Sequence, residues 1–322
     1  IFRKSVMKNF ILILSLVFIL LNSNITYSKV ISTEEWARSA WGDIEKTEVD
    51  VKKISKNLFL LYGLGGNIAV SIGDDGVLIV DSQIPIIFPK IKKAIEKLSN
   101  SKIVYTINTH WHWDHADGNL LVDPDVTKII SHSNARENMK NGGLINHGLN
   151  EKLKQNPYPI NALPVITHEK GMSLYFNNEK IDIVHFGPAH TTGDSIIFFN
   201  NQNAIHLGDV FFSNSYPFID VDNGGSLDGM IEFLEKVILM INDDTIIMPG
   251  HGDIASTNDI KETILMLKTI RNRILELINK GQSLEDVLKS QITRDYDNKY
   301  NTISMRGMFI DRAYESIKSS LK

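Results

Sequence analysis

The chain contains no cysteine. That excludes disulfide frameworks, thiolate zinc sites, cysteine nucleophiles, iron–sulfur clusters and lipid attachment through sulfur. Any metal has to be held by histidine and carboxylate. A basic excess is also lacking: 34 Lys and Arg stand against 38 Asp and Glu, a net charge of −4. No Lys/Arg run forms a phosphate-binding stripe, so nucleic acid is not an expected partner. Proline is scarce at 9 of 322 residues, glycine is ordinary at 21, and 43% of the residues are hydrophobic. Collagen-like and largely disordered chains are thereby excluded, and no internal repeat of solenoid length is visible.

Long apolar runs are missing as well. The N-terminal run from Phe10 to Leu21, interrupted by Ser15, is shorter than the roughly 20 residues a membrane helix needs. It follows Lys8 and precedes Asn22–Ser28. Charged start, short apolar centre and small residues before position 29 predict a signal peptide over residues 1–28, with Ile1–Val6 as an upstream extension of a start at Met7. The expectation is a secreted or periplasmic protein without a stable membrane anchor. Removal of residues 1–28 takes away Arg3, Lys4 and Lys8 and no acid, leaving the mature chain three charges more negative. Residues 29–322 are then expected to form a single domain.

Within that domain, short apolar runs separated by turn residues predict strands at 58–62, 67–72, 76–81 and 102–108, with a helix opening at Pro89 between the last two. A second set is expected at 180–186, 195–199, 203–207 and 245–248. Ser226 reads as the N-cap of a helix with apolar positions 227, 230, 231, 234, 237, 238 and 241. A longer amphipathic helix spans 260–278, and Ser283 with Asp286 predicts a further cap. Residues 138–165, polar and rich in glycine and proline, read as an irregular excursion. Two sets of strands with helices between and after them suggest two packed sheets with helices outside, and sites at strand ends.

The chemistry concentrates where one strand ends. His110, His112, Asp114 and His115 lie within six residues. On an extended segment residues two apart point the same way, and Asp114 continues the alternation. Neutral imidazole and carboxylate are the natural ligands for zinc when no thiolate is present. Downstream, His190 and His251 each sit on a glycine-bounded loop after a strand, and Asp209 ends the strand containing His206. Seven candidate ligands exceed what one tetrahedral ion needs, so two ions are expected. Trp111 and Trp113 are candidates for packing the loop. Asn214, Tyr216 and Phe218, just after Asp209, are candidates for a substrate-binding pocket wall. His132, His147, His168, His185 and His206 have no spacing partner and read as hydrogen-bonded or surface residues, with His132 and His185 as candidates for supporting the ligands.

The order His110-x-His112-x-Asp114-His115, then His190, Asp209 and His251, resembles the metallo-β-lactamase superfamily over about residues 50–255. Asp81, at the end of its strand, matches the superfamily's early structural acid. The resemblance implies an α/β fold, the four-layer αββα sandwich, with two Zn2+ ions at one edge. It implies His110, His112 and His190 on the first ion and Asp114, His115 and His251 on the second. An acid at 209, where one group of β-lactamases carries cysteine, resembles the bridging carboxylate of glyoxalase II-like hydrolases.

Such a pair of ions is expected to lower the pKa of a shared water and polarise a carbonyl, with Asp114 as a catalytic residue orienting the nucleophile. No covalent acyl-enzyme is then needed. The first expectation is hydrolysis of a small, soluble cyclic amide of the β-lactam type. The second is a lactone or thioester, and the non-enzymatic alternative is an exported zinc-binding protein.

Overall fold

The computed structural model describes residues 29–300 and 303–321; the expected signal peptide lies outside the described residues. In chain order the elements are β1 (Lys29–Ser32), α1 (Thr33–Trp41), β2 (Asp50–Lys53), β3 (Leu58–Tyr62), β4 (Ile68–Gly73), β5 (Gly76–Val80), α2 (Phe88–Leu98), β6 (Ile103–Ile107), the short α3 (Trp113–Ala116), β7 (Lys128–His132), α4 (Ser133–Asn141), β8 (Gly143–Gly148) and β9 (Glu151–Gln155). The second half contains β10 (Ile166–His168), β11 (Gly171–Phe176), β12 (Glu179–Val184), β13 (Ile196–Phe199), β14 (Ala204–His206), α5 (Leu227–Ile238), β15 (Ile246–Met248), α6 (Thr257–Asn279), α7 (Leu284–Lys289) and α8 (Ile303–Ser320).

Among the described residues three sheets result. The largest has the order β10-β7-β6-β5-β4-β3-β2, the next β11-β12-β13-β14-β15, and a small one β1-β9-β8. The central strands read as continuous apolar runs because both of their faces are covered. In β5, Leu78 and Val80 pack between the two large sheets against Ile181, Ile197 and Phe199. Val77 and Ile79, one residue out of phase, face Phe88, Ile91 and Ile95 of α2. On the far side of the second sheet, Phe198 and Ile205 pack against Met230 and Leu234 of α5 and Ile270 of α6. Alternation with a period of two thus assigns each strand residue to one layer or the next, and the four-layer αββα sandwich follows.

The expected caps are formed. Ser226 accepts from the Gly229 N–H, and Ser283 and Asp286 exchange hydrogen bonds in a capping box. The irregular excursion expected at 138–165 is corrected. Its centre is the β8–β9 hairpin, joined to β1 in parallel register from Lys29↔Glu151 to Ser32↔Lys154. The hairpin has no clear period-two signal of its own, and its pairing partner lies more than a hundred residues away.

Candidate metal centre

Asp81 follows β5 with φ +67°, a backbone region costly for a residue with a Cβ. Its buried carboxylate collects three donors: the Thr109 N–H at 2.7 Å, the Thr109 hydroxyl at 2.8 Å and Nδ1 of His115 at 2.7 Å. It thereby ties the end of β5 to the loop that leaves β6. That loop bends over residues 109–111, is extended at His112 and then turns, because the N–H groups of His115 and Ala116 both bond to the His112 carbonyl. The expected alternation therefore stops at His112. The helical turn α3 carries Asp114 and His115 to a second position beside the first pair.

Four of the five imidazoles in the cluster, His110, His112, His115 and His190, are held by one nitrogen and offer the other. His110 Nδ1 bonds to the Thr109 hydroxyl oxygen at 3.0 Å, whose proton goes to Asp81, so Nδ1 is the protonated nitrogen. Nε2 of His110 is buried and has no partner. Nδ1 of His190 donates to the Phe218 carbonyl at 2.9 Å, and Nε2 of His112 to the Asp220 carboxylate at 2.9 Å. The remaining nitrogens, His190 Nε2 and His112 Nδ1, face each other at 2.8 Å. Both are lone-pair sites, an arrangement that is repulsive unless a cation takes up both pairs.

Asp209 sits between this trio and the next. Its Oδ2 is 3.8 Å from His110 Nε2 and 3.7 Å from His190 Nε2. Its Oδ1 is 3.0 Å from His115 Nε2, and its Oδ2 is 3.5 Å from His251 Nε2. Asp114 reaches His251 at 3.2 Å. Among the described residues three donor groups are compact enough to hold an ion: His110, His112 and His190; His110, His115 and Asp209; and Asp114, His115 and His251. All seven expected ligands fall in these groups. Glycine makes two of the approaches possible: a Cβ on Gly66 would overlap the His115 ring, and one on Gly250 would overlap the Asp209 carboxylate.

The electrostatics follow from that crowding. Burial holds the His110 imidazole well below its usual value and His190 at about 4, so both are neutral donors at pH 7. Burial would lower His115 too, but Asp209, Asp114 and Asp81 outweigh it and raise that ring well above its usual value. His251 is likewise raised, to about 9, with Asp209 as the leading cause against burial. Desolvation would raise Asp114, yet His115 and His251 bring it down to about 2. This half of the cluster is an acid-rich box that demands positive charge. Neutral imidazoles beside ionised carboxylates, without thiolate, match the donor set of zinc.

A cavity of ≈ 320 Å³ opens over the cluster, and His112, Asp114, Asp209 and His251 reach its floor. Trp36, Trp41, Trp113, Ile145, Met305 and Met308 contribute to its wall, with Phe218 and His147 among their neighbours. Two expectations for this wall are corrected. Tyr216 is 1% exposed, stacks on Phe309 at 5.1 Å between ring centroids and donates to Asp297 at 2.9 Å, so it belongs to the core outside the cavity. Asn214 occupies an exposed left-handed turn position, and the wall takes Ser213 and Ser215 on either side of it. Trp111 is buried under the loop.

The unpartnered histidines divide. His206 lies between the Asn67 carbonyl and the Gly208 N–H. His132 and His185 bond to none of the clustered donors: their rings lie 4.1 Å apart beside His168, His132 donates to the Glu169 carbonyl, and His185 Nδ1 donates to the Asp194 carbonyl. His147, read as hydrogen-bonded or surface, is a wall residue. Asp220 was not legible, since nothing in its spacing marks it; nor were Trp36 and Trp41, whose helix looks like any amphipathic surface helix.

Comparison with known proteins agrees with this geometry. The chain is 27% identical to a probable metallo-hydrolase of Methanocaldococcus jannaschii over 197 residues, 60% of this chain and 90% of that protein. It is 27% identical to a probable hydroxyacylglutathione hydrolase of Schizosaccharomyces pombe over 230 residues, 69% of this chain and 75% of that protein. Its fold is similar to that of a metallo-beta-lactamase from Pontibacter korlensis, with a TM-score of 0.57, 12% identity, and coverage of 69% of this chain and 99% of that one. The family model for the metallo-beta-lactamase superfamily matches residues 61–254, which spans Asp81 and all seven clustered ligands, and the chain therefore belongs to that superfamily.

Proposed function

We propose that this metallo-hydrolase is an exported, dinuclear zinc enzyme that hydrolyses an activated carbonyl compound of small size. The observation that carries the reading is the pair of imidazole lone pairs, His112 Nδ1 and His190 Nε2, facing each other at 2.8 Å beside the orphaned His110 Nε2. His110, His112 and His190 would hold one ion, Asp114, His115 and His251 the other, and Asp209 would lie between them. Zinc so held lowers the pKa of a bound water towards 7 and polarises a carbonyl.

The chain's own groups do the rest. Asp114, 15% exposed at the cavity floor, is placed to accept a hydrogen bond from an attacking water and orient it. Asp81, Asp220, Thr109 and the Phe218 carbonyl keep the imidazoles in one tautomer and one orientation, which supports their basicity. The cavity wall seats the organic part of the substrate. No side chain in the cluster serves as a covalent nucleophile.

A β-lactam-type cyclic amide is the substrate that the family resemblance puts first, and a lactone or thioester is the second. The wall favours the second in an uncharged form, because no Lys or Arg among the described residues lines it. The hydroxyacylglutathione hydrolases among the relatives point to thioester chemistry, but a glutathione moiety carries two carboxylates that this wall does not match.

The test is metal analysis combined with turnover of a chromogenic cephalosporin, a lactone series, acyl thioesters and a bis-aryl phosphodiester. The expected result is two zinc ions per chain and chelator-sensitive hydrolysis of a carbonyl substrate, lost in His112→Ala. Turnover on none of them by zinc-loaded protein would make the chain a zinc-binding protein instead. Export is checked separately by N-terminal sequencing, which should begin at Lys29.

A further inference from the structure

We infer that the substrate of this site is uncharged on the side that meets the cavity wall, carries an apolar chain or ring there, and is disfavoured by a carboxylate at that position. The inference rests on the hydrolase reading and narrows its substrate class.

Two tryptophans and two methionines of the wall come from segments flanking the 61–254 span that the family model matches. Trp36 and Trp41 come from α1, and Met305 and Met308 come from α8. The helix α1 is anchored there: Ser32 caps it, β1 pairs with the hairpin strand β9, and Trp36 Nε1 donates to Glu151 at 2.9 Å. The three tryptophans touch one another, with ring centroids 5.7 Å apart for Trp36 and Trp41, 6.0 Å for Trp36 and Trp113, and 5.4 Å for Trp41 and Trp113. Rings this close leave no room between them for an ammonium group. They form a continuous apolar wall rather than a cage for a cation. The thioethers of Met305 and Met308 complete it with side chains that adapt to chains of varied length.

Charge selects in the same direction. Arg306 and Arg312 lie on the same helix as the two methionines, but both are engaged by acids. Arg306 pairs with Asp297 at 3.1 Å, and Arg312 with Asp311 and, at 3.6 Å, with Asp222. A carboxylate placed against the wall would be desolvated without a cationic partner, which is costly. Common β-lactam antibiotics and glutathione thioesters both carry such carboxylates. Neutral lactones, esters or thioesters with a hydrocarbon portion do not.

The test uses ligand pairs that share a metal-anchoring group and differ only at the far end: an alkyl hydroxamic acid and its ω-carboxylate analogue, over several chain lengths. Binding to zinc-loaded protein is read by tryptophan fluorescence, and p-nitrophenyl esters of the same two series give kcat/KM. The expected result is a gain of up to about fourfold per added methylene and at least a tenfold preference for the neutral partner. Met308→Lys should shrink that preference by tenfold or more; Met305→Lys provides the same comparison if Met308→Lys does not fold. Equal or tighter binding of the ω-carboxylate, or no dependence on chain length, overturns the inference. Neutral-selective hydroxamate binding without turnover of any ester would sink the hydrolase reading while leaving the wall's selectivity in place. Ester turnover without neutral preference would do the opposite.

Discussion

His112 donates its Nε2–H to Asp220 at 2.9 Å, and this one bond decides that Nδ1 is the nitrogen His112 turns to the donor cluster. Asp220 is fully buried and also takes the side-chain amide of Asn223 on both oxygens at 2.9 Å, so its position is fixed from a second direction. Replacing it with alanine frees the ring to change tautomer or rotate. Asp220→Ala is expected to weaken zinc binding by about 10–100-fold with the circular dichroism spectrum unchanged. Competition against a chromophoric chelator measures it, and an unaltered affinity would reduce Asp220 to a packing role.

Zinc should stabilise the fold as well as activate it. Facing lone pairs and the Asp114–Asp209 acid box are relieved when cations bind, and any ligand that binds only the native state adds about 2.7 kcal/mol at 100 times its Kd. Chelation is expected to lower Tm by several degrees, and two equivalents of zinc per chain should restore it. A Tm indifferent to metal would contradict the assignment of these residues as ligands.

The two metal positions should be separable through backbone space. Gly66 lies against the His115 ring, and its N–H bonds to the Asp114 carbonyl at 2.9 Å. Gly66→Ala would push His115 away and act on His110 only through that ring, leaving His112 and His190 without a direct contact to the substitution. The expected stoichiometry falls from two zinc ions to about one, with turnover reduced. Retention of both ions would mean that the loop yields easily and that Gly66 is not required at this contact.

Acid should weaken the protein through a histidine outside the donor cluster. Burial holds His168 at about 4 against an ordinary 6.5, and His132 and His185 add to the shift. Its Nδ1 is buried without a partner. The folded pKa is depressed, so the folded form prefers the neutral ring. The stabilisation is therefore present above pH 6.5 and is lost as pH falls towards 4. His168→Gln should be less stable than the parent at pH 7.5, having lost the ring's packing, and the gap should narrow by about 3 °C or more in Tm by pH 5. Thermal unfolding of both proteins, stripped of metal, provides the check; a constant gap would show that His168 does not titrate in this range.

Much of this molecule is written locally. Apolar runs such as Gly76–Val80 and turns such as Gly73–Gly76 specify strands because burial on both faces requires unbroken hydrophobicity. The seven clustered donors announce themselves because a metal would need particular atoms, and the chain presents those residue types in clusters at strand ends. The sequence by itself therefore determined the sandwich and which donor-type side chains cluster. What it could not determine depends on contacts between residues distant along the chain. Asp220 meets His112 across 108 positions and Trp36 meets Glu151 across 115, and no spacing rule reaches that far. Tyr216 looked like a pocket residue because it follows Asp209, but the arrival of Phe309 and Asp297 turned it into core. The cavity wall was decided only when α1 and α8, from opposite ends of the described chain, met at the β8–β9 hairpin. Side-chain selectivity arises from surfaces brought together by tertiary packing, whereas ligand chemistry is carried by the residues themselves.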